Sequence, residues 1–556
     1  MPALFLFLLM ALDGEQVYKQ HCAQCHDTAS PGRVPTREAM SHLTPRRIVN
    51  SLESGIMFMP GRRMTPAERR TVAQHLTGKA FTIEPSVQAR SPCVSSPFPP
   101  AQLTASGLPG LKLKWAFGFE GDVMAFAQPT VYGNRLYVGS AGGTVHSLDA
   151  KTGCTHWRFE ADAAVRAGIV VEGGKAYFGD LHSNVYAVDT TTGKQLWKRR
   201  LDSHPSARIT GTPAFHNGRL YVPVSSFEEG MASMPSYECC TFRGSLVALD
   251  AATGKPIWQR FMIDRPARPT GRNKRGAQQH GPAGVAIWST PTIDAARGLV
   301  YVTTGDNYTD PGTPLSDAVL AIRLRDGTIA WSQQVTANDR WNAACLGDKV
   351  NCPVDNGPDA DFGAPAILAG NLLIAAQKSG MVYALDPGAK GEIVWKTEAG
   401  KGGPLGGIQW GHAVGDNKVF APISGVELAD MVHTGGGLTA LNLKDGKVAW
   451  KAPPAVCAEN RTPCSPAQMA GALSIPGAVI SGARDGIYRA YSADNGRILW
   501  QFDTWCDFET VNKVTARGGS IDGPHPVTAN GMLFMNSGYS LWNGRGGNVL
   551  LAFGPP

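Results

Sequence analysis

The sequence predicts an all-β protein, an eight-bladed β-propeller, preceded by a small all-α domain. The chain has 556 residues, which is enough for one small and one large domain. Charged residues make up only 17%, whereas Gly (65) and Pro (39) are abundant, and this composition is typical of an all-β body with many tight turns. The third observation is a sequence repeat that runs through most of the chain.

Each repeat contains apolar strands, a turn with Gly, and a Trp four residues after that Gly. The clearest turns read LDAKTG at 148–153, VDTTTG at 188–193 and LDAATG at 249–254. Seven tryptophans have this position, namely Trp157, Trp197, Trp258, Trp331, Trp395, Trp450 and Trp500. Their spacing of 40 to 73 residues matches four-stranded propeller blades with loops of variable length.

An eighth unit is split between the two ends of the repeat region. The strands expected at 532–535 and 548–553 lack a following Trp, and the segment 111–119 supplies Trp115. Pairing the last strands with the first closes the ring and leaves no open sheet edge. The sequence therefore predicts a propeller over residues 111–556, in which the eight tryptophans pack between blades.

The all-α domain is predicted over residues 13–78. Thr65 caps a helix that has Pro66 at its first position and Glu68 at its third, and Gly78 ends it. Residues 79–110 are rich in Pro, Ser and Thr and are predicted to be a linker.

Residues 1–12 contain the apolar run PALFLFLLMAL. This run is too short to span a bilayer, and it resembles the core of a truncated export signal. A buried N-terminal helix is the alternative. No later stretch is long and apolar enough for a transmembrane helix.

The segment Cys22-Ala23-Gln24-Cys25-His26 follows the attachment pattern of haem c. Two thiols on one helical turn can bond both haem vinyl groups, and the adjacent His26 reaches the iron. A thioredoxin-like pair would need a βαβ context, and a zinc site would need two more ligands nearby. The small domain is therefore predicted to be a c-type cytochrome.

The second iron ligand of an electron carrier is expected to be a methionine. Met57 is placed before the final helix as the ligand is in small c-type cytochromes, and Met59 is the alternative. Either side chain could instead pack beside the haem.

The other nine cysteines suit an oxidising compartment, and the periplasm is the predicted location. Closeness in the sequence groups Cys345 with Cys352, Cys457 with Cys464, and Cys239 with Cys240. A pair of Cys93 with Cys154 is possible, which leaves Cys506 over. The net charge of +7, from 52 basic and 45 acidic residues, is mild for this length and gives no indication of nucleic-acid binding.

An eight-bladed propeller with these Trp turns resembles the quinohemoprotein dehydrogenases, which hold pyrroloquinoline quinone (PQQ) at the propeller axis. The resemblance covers residues 111–556. The segments SSFEEG, YECCTFRGSLVALDAATG and DADFGAP, with a cytochrome at the N-terminus, are most similar to the polyvinyl alcohol dehydrogenases (cytochrome) of this family. The resemblance implies a periplasmic enzyme that oxidises secondary alcohol groups, in that subfamily those of a polymer.

The resemblance also implies which residues surround the quinone. A disulfide between Cys239 and Cys240 would lie on one face of the quinone, and Trp288 would stack on the other. Lys378 would contact the quinone oxygens, and Arg208 is a further candidate for binding a quinone carboxylate.

Calcium is the second cofactor that the resemblance implies. Its candidate ligands are Glu228 or Glu229 in SSFEEG and Asp306 or Asn307 in TGDN. Their oxygens are of the type that a hard divalent cation needs.

The resemblance places the catalytic base at Asp317, with Asp361 as the alternative. The aspartate would take the hydroxyl proton while a hydride moves to the PQQ C5 atom, whose carbonyl calcium polarises. Lys378 would stabilise the developing oxyanion. Electrons would then pass through the haem to an external cytochrome c or another acceptor.

Two other functions fit parts of this pattern. One is a PQQ dehydrogenase for another alcohol, an aldehyde or a sugar. The other is a non-catalytic propeller scaffold that carries an electron-transfer haem. The joint presence of the adjacent cysteines, the stacking Trp, the acidic residues and the base favours an enzyme.

Overall fold

A computed structural model describes residues 13–27, 34–53, 57–61, 63–81, 86–88, 93, 101–427, 432–433 and 435–556. The chain divides into two compact units, Met1–Glu84 and Pro85–Pro556. The predicted export segment, 1–12, lies outside the described residues. Over the ranges described here, no helix has both the length and the apolar character needed to cross a membrane.

The described residues of the first unit form short helices, as the sequence predicts. They are α1 (Gly14–His21), α2 (Ala23–His26), α3 (Arg37–Ser41), α4 (Pro45–Glu53), α5 (Phe58–Gly61) and α6 (Pro66–Thr77). The Thr65 hydroxyl accepts from the Glu68 backbone N–H, and the Glu68 carboxylate accepts from that of Thr65, so the predicted start of α6 is confirmed. Gly78 ends α6 in the left-handed conformation, with φ of 63°.

Over its described residues the second unit contains eight antiparallel sheets of four or five strands, so the predicted eight-bladed propeller is confirmed. The first four blades, innermost strand first, are Thr130–Tyr132, Arg135–Val138, Thr144–Asp149 and Thr155–Glu160; Val170–Glu172, Lys175–Gly179, Asn184–Asp189 and Gln195–Arg200; Ala214–His216, Arg219–Ser226, Ser245–Asp250 and Pro256–Phe261; Thr292–Asp294, Leu299–Thr303, Ala318–Arg323 and Ile329–Gln334.

The remaining four blades continue in the same order. They are Ile367–Ala369, Leu372–Ala376, Met381–Asp386 and Glu392–Glu398; Ala413–Gly415, Lys418–Ile423, Gly437–Asn442 and Val448–Ala452; Leu473–Ile475, Ala478–Gly482, Ile487–Ser492 and Ile498–Asp503; Val527–Ala529, Met532–Ser537, Val549–Gly554 and Lys112–Gly118. Blade 8 thus joins both ends of the propeller sequence, because Lys112–Gly118 pairs with Val549–Gly554. The predicted split blade is confirmed.

Several short elements lie before the first blade strand or in the connections between the blade strands. Three two-stranded hairpins pair Arg268–Arg272 with Gln278–Gly281, Val426–Glu427 with Val432–His433, and Asp507–Phe508 with Ala516–Arg517. Ala207–Arg208 adds to blade 3, Glu228–Met231 is one helical turn, and Ala105–Gly110 and Ala343–Leu346 are 3-10 helices.

The segment predicted as a linker, 79–110, contributes to the propeller. Ser86–Gln88 pairs with the outermost strand of blade 1, and Cys93 forms a disulfide with Cys154. Leu103 and Leu108 are buried in the apolar cluster of blades 7 and 8. The end of this segment is therefore anchored by burial of apolar side chains.

Seven of the eight repeat tryptophans pack against the Gly turn of the next blade, and the eighth, Trp500, packs on Phe553 of blade 8. Trp157 donates from Nε1 to the Thr190 carbonyl at 2.8 Å, and its ring covers Gly193, where a Cβ atom would lie 2.7 Å from a ring carbon. The same packing recurs between Trp115 and Gly153, Trp197 and Gly254, Trp258 and Gly327, Trp331 and Gly391, Trp395 and Gly446, and Trp450 and Gly496. The repeat therefore needs glycine both for its positive φ and for ring contact.

This packing predicts a large stability difference between two glycine substitutions in blade 2. Gly193→Ala should lower the free energy of unfolding by about 1–3 kcal/mol more than Gly174→Ala, because only the first methyl group collides with an indole ring. Gly174 has nearly the same φ, 74° against 72°, but no atom within 4 Å of a new Cβ, so it isolates the backbone cost. Urea unfolding followed by tryptophan fluorescence measures both variants. Equal losses would contradict the role of the ring contact.

The blade topology gathers two kinds of connection at one end of the propeller. These connections join the second strand of a blade to its third, and the outermost strand of one blade to the innermost strand of the next. Glu229, Asp306 and Lys378 lie in the first kind, in blades 3, 4 and 5 respectively. Asp359 and Asp361 lie in the second kind, between blades 4 and 5. Charged residues far apart in sequence therefore meet on loops held by a rigid scaffold.

Candidate functional site

A cavity of about 500 Å³ lies among these connections, and its size is within the range of cofactor and ligand sites. Its charged walls are formed by Arg166, Glu229, Asp306, Asp359, Asp361, Lys378 and Asp522. Its larger apolar and aromatic walls are formed by Phe227, Trp288, Tyr308, Trp341, Leu405, Trp410, Met469, Leu541 and Trp542. A planar ring system that carries negative charge fits this combination of indole walls and buried cations.

Lys378 is the central cation of the cavity. Its Nζ atom donates to Asp359 Oδ1 at 2.7 Å and to Asp361 Oδ2 at 3.0 Å. Burial by itself would lower the pKa of Lys378, but the carboxylates of Asp359 and Asp361 outweigh burial and raise it well above its ordinary value. Lys378 therefore remains charged and cannot act as a base.

Three carboxylates crowd together beside Lys378. One oxygen each from Asp306, Asp359 and Asp361 lies within 4.8 Å of the others. The Asp306 backbone N–H donates to Asp361 Oδ1 at 2.6 Å, whereas the buried Asp306 Oδ2 has no hydrogen-bond partner. Burial raises the pKa of Asp306 well above its ordinary value, and the neighbouring Asp361 raises it further. An acidic group of this kind fits a divalent cation, which would offset the repulsion and use the unpartnered oxygen.

The two adjacent glutamates predicted as alternatives have different surroundings. Glu229 lines the cavity, and burial raises its pKa to about 7 although Lys378 lowers it. Glu228 is buried away from the cavity. Its carboxylate accepts from the backbone N–H groups of Thr241 and Phe242, at 2.9 and 2.8 Å, and from the Tyr237 hydroxyl at 3.1 Å. Glu228 therefore holds its own loop together.

Asp306 and Asn307, the other two residues predicted as alternatives, also have different surroundings. Asp306 lines the cavity, whereas Asn307 does not. The Asn307 Oδ1 atom accepts from the Thr313 backbone N–H at 2.6 Å, and its Nδ2 atom donates to the Thr313 hydroxyl at 3.0 Å. The side-chain amide of Asn307 therefore stabilises the loop between residues 307 and 313.

Asp317, the predicted base, does not line the cavity. It is fully buried at the start of a blade 4 strand, its backbone N–H donates to Gly305, and neither carboxylate oxygen has a hydrogen-bond partner. Its alternative, Asp361, does line the cavity. Of these two predicted aspartates, only Asp361 therefore faces the cavity.

Cys239 and Cys240 form a disulfide, as predicted. Both are fully buried, and they belong to an apolar cluster with Ala286 and Tyr308, which line the cavity. Trp288 packs against this cluster and lines the cavity, with Lys378 Nζ at 5.4 Å from the centre of its ring. The disulfide is thus part of the packed layer beside the cavity and is not among its lining residues.

Besides Lys378, the cavity is lined by the cationic side chain of Arg166, whereas Arg208, the predicted candidate, does not line it. The Arg208 guanidinium stacks on the Phe227 ring at 4.4 Å. The Arg166 guanidinium stacks on the Trp410 ring at 4.1 Å, and burial lowers its pKa. A buried guanidinium of this kind suits a carboxylate ligand.

The haem motif lies at α1 and α2 of the first unit. Cys22 and Cys25 are not in disulfides, and the His26 Nδ1 atom donates to the Pro35 carbonyl at 2.7 Å. This hydrogen bond fixes the tautomer and leaves Nε2 with a lone pair for a metal. Met57 is partly buried against the helical core, whereas Met59 is 41% exposed.

The predicted disulfide pairing of the other cysteines is confirmed. Besides Cys239–Cys240, the bonded pairs are Cys93–Cys154, Cys345–Cys352 and Cys457–Cys464. Cys506 is unpaired and exposed.

Two curated proteins match almost the whole chain. The polyvinylalcohol dehydrogenase of Sphingopyxis sp. (strain 113P3) is 38% identical, over 98% of this chain and 92% of that protein. A polyvinylalcohol dehydrogenase of Pseudomonas sp. is 37% identical, over 97% of this chain and 93% of that protein. This chain belongs to the polyvinylalcohol dehydrogenase family. The resemblance predicted from the sequence, and with it an alcohol dehydrogenase of the PQQ-dependent quinohemoprotein type, is confirmed.

Family and structural matches agree with this membership in the polyvinylalcohol dehydrogenase family. Residues 10–76 match the family described as cytochrome C oxidase, cbb3-type, subunit III, and 209–347 match the glucose/ethanol/alcohol dehydrogenase β-propeller domain. Residues 112–273 and 378–517 match the family described as outer membrane protein assembly factor BamB. The quinohemoprotein alcohol dehydrogenase ADHIIG of Pseudomonas putida HK5 superposes with a TM-score of 0.61 at 18% identity, over 83% of this chain and 78% of that one, which shows a shared fold.

Among the lining residues that the sequence analysis of this polyvinylalcohol dehydrogenase family member did not predict are Arg166, Asp359, Trp410 and Asp522. Asp359 stands in the DADFGAP segment, which already carried the resemblance, so a signal for it was present. The other three lie in connections between blades and belong to no motif. Trp410 Nε1 donates to the Asp522 carboxylate, so these two form one wall.

Proposed function

We propose that this dehydrogenase oxidises the secondary alcohol groups of polyvinyl alcohol with PQQ and calcium bound in the cavity, and passes the electrons through haem c to an external carrier. The observation that carries the proposal is the group of Asp306, Asp359 and Asp361 around Lys378 in a cavity with indole walls. The family relationship supports the substrate, because both relatives described above are named for it.

The cavity residues divide into cofactor-binding groups. Glu229, Asp306 and Asp361 are proposed to hold calcium, since all three line the cavity, their charges interact with one another, and carboxylate oxygens are hard ligands. Trp288 is proposed to stack on PQQ, with the Cys239–Cys240 disulfide in the packed layer beside the cavity. Arg166 is proposed to pair with a PQQ carboxylate in place of Arg208.

When bound, PQQ supplies the two-electron oxidant and calcium polarises its reacting carbonyl. Asp359 is proposed as the base that takes the proton of the substrate hydroxyl, because it lines the cavity and its hydrogen bond to Lys378 fixes the carboxylate. Asp361 instead has both oxygens engaged, by Lys378 and by the Asp306 backbone. Lys378 supplies a fixed positive charge against the negative charge that develops in the reaction.

The first unit is proposed to carry the electrons. Cys22 and Cys25 bond the haem, His26 binds the iron, and Met57 is the second ligand because it is less exposed than Met59. The four disulfides support a periplasmic location, where an external cytochrome c or another acceptor would collect the electrons.

Reduction of the haem by alcohol tests this proposal. Purified, haem-loaded protein is mixed with PQQ and calcium, and the haem α-band is followed after addition of polyvinyl alcohol or 2-propanol. We expect reduction only when PQQ, calcium and an alcohol are all present. An oxidised haem across an alcohol panel, despite bound PQQ, would exclude alcohols as donors. Failure to bind PQQ would favour a non-catalytic scaffold.

The calcium requirement is tested in the same assay with Glu229→Gln. Loss of one carboxylate oxygen from the site should raise the calcium concentration for half-maximal haem reduction by about 10- to 100-fold. Calcium binding measured by calorimetry should weaken by the same factor. Glu172→Gln, an exposed glutamate on the innermost strand of blade 2, is the control. Unchanged calcium dependence in Glu229→Gln would remove Glu229 from the ligand set.

A further inference from the structure

Three exposed apolar side chains line the mouth of the cavity. Leu541 and Trp542, in the loop between the second and third strands of blade 8, are 39% and 46% exposed. Leu346, at the end of the 3-10 helix Ala343–Leu346, is 45% exposed. Among the described residues Trp542 is the most exposed tryptophan, whereas the repeat tryptophans pack between blades. We call these three residues the lip.

The lip is tied to the cavity wall by a buried arginine. Arg484, in blade 7, is only 1% exposed, and its guanidinium donates to the carbonyls of Leu541 at 3.0 Å and Trp542 at 2.7 Å. The same guanidinium donates to Asp522 Oδ2 at 2.5 Å. Asp522 in turn accepts from Trp410 Nε1 and lines the cavity.

This anchoring ties the backbone of the loop to the wall of the cavity. A buried arginine is costly unless its donors are satisfied. Here Nη1 and Nη2 of Arg484 donate to Asp522 and to two carbonyls of the exposed lip, whereas Nε has no hydrogen-bond partner. The hydrogen bonds of Arg484 therefore hold the backbone carbonyls of Leu541 and Trp542, the two residues whose side chains are exposed. An exposed indole that is fixed by its own backbone is suited to binding apolar surface from outside.

We infer that the lip binds the carbon backbone of a long-chain secondary alcohol while one carbinol group reaches the interior, and that Arg484 positions it. This inference rests on the proposed function. The charged interior holds the acidic group and Lys378, so the rest of a substrate longer than the cavity must leave through the mouth. There the methylene groups of the chain meet Leu346, Leu541 and Trp542 and lose contact with water. A short alcohol ends before it reaches the lip.

The test compares kcat/KM for polyvinyl alcohol oligomers with kcat/KM for 2-propanol. In Trp542→Ser, the ratio of the two values should fall about 10-fold relative to the unmodified protein, which is the loss expected for one apolar contact surface. Tyr132→Ser removes an aromatic ring that is 54% exposed on the innermost strand of blade 1, and its ratio should not change. An unchanged ratio in Trp542→Ser overturns the inference.

Arg484→Lys tests the positioning role, because an ammonium group on a shorter stem cannot serve Asp522 and both carbonyls at once. If Arg484 acts through the lip, the ratio falls in Arg484→Lys and falls no further in the double variant with Trp542→Ser. If the decreases of the ratio in the two single variants add up in the double variant, Arg484 does not act through the lip.

Failure of the lip and failure of the proposed function give different results. If the unmodified protein oxidises neither alcohol, the proposed function is wrong. If it oxidises both and the ratio does not change in Trp542→Ser, only the inference about the lip is wrong.

Discussion

The Asp359→Asn variant is expected to lose about 10²- to 10⁴-fold in kcat for alcohol oxidation, with PQQ and calcium at saturation. Asn keeps the shape and the hydrogen bond to Lys378 but cannot accept the substrate proton. Calcium affinity should change less than kcat, since Glu229, Asp306 and Asp361 remain. Steady-state turnover with 2-propanol and an artificial electron acceptor measures the effect independently of the haem.

Two other aspartate variants, Asp317→Asn and Asp361→Asn, are compared with Asp359→Asn to identify the base. Asp317→Asn should retain kcat within about 10-fold, because Asp317 is buried outside the cavity lining and an amide replaces its carboxyl without a change of size. Asp361→Asn should lose activity that high calcium partly restores, which is the behaviour of a ligand. A severe loss in Asp317→Asn with a mild loss in Asp359→Asn would reverse the assignment of the base.

The double variant Cys22→Ser and Cys25→Ser is expected to abolish electron delivery to cytochrome c. Without thioether bonds the haem is not retained, so electrons from the alcohol have no path to an external protein. Turnover with a small artificial acceptor should persist, because the cavity lies wholly in the second unit. Cys506→Ser, which removes the other unpaired cysteine, is the matched control and should retain both activities. Undiminished cytochrome c reduction in the double variant would exclude the haem from the electron path.

The repeat allowed the fold to be predicted because its physical basis is local. The glycine is needed for the turn conformation, and the Trp at a fixed offset is needed for the contact with the next blade, as the packing of Trp157 on Gly193 shows. The split blade could also be predicted from the sequence. The strands at the two ends of the repeat region leave no open sheet edge only if they pair with each other. The disulfides Cys345–Cys352 and Cys457–Cys464 were predictable because their partners are seven residues apart.

The choice between neighbouring candidates could not be made in the same way. Glu228 and Glu229 are adjacent and chemically alike, yet one accepts backbone N–H groups of its own loop and the other lines the cavity. Asp306 and Asn307 divide likewise. The spacing of the motifs predicts which loop carries the ligand. Which of two adjacent side chains points to the cavity depends on how that loop packs.

The sequence by itself determined the two-part organisation, the eight blades and the loops that carry the acidic residues, and it predicted the haem attachment residues, because these depend on motifs and on periodic local structure. Only the tertiary structure decided that Asp359 and Asp361, rather than Asp317, line the cavity, and that Arg166 and the Arg484-anchored lip belong to it. These residues come from different blades, and their meeting depends on ring closure, which brings chain segments far apart in sequence to one end of the propeller axis.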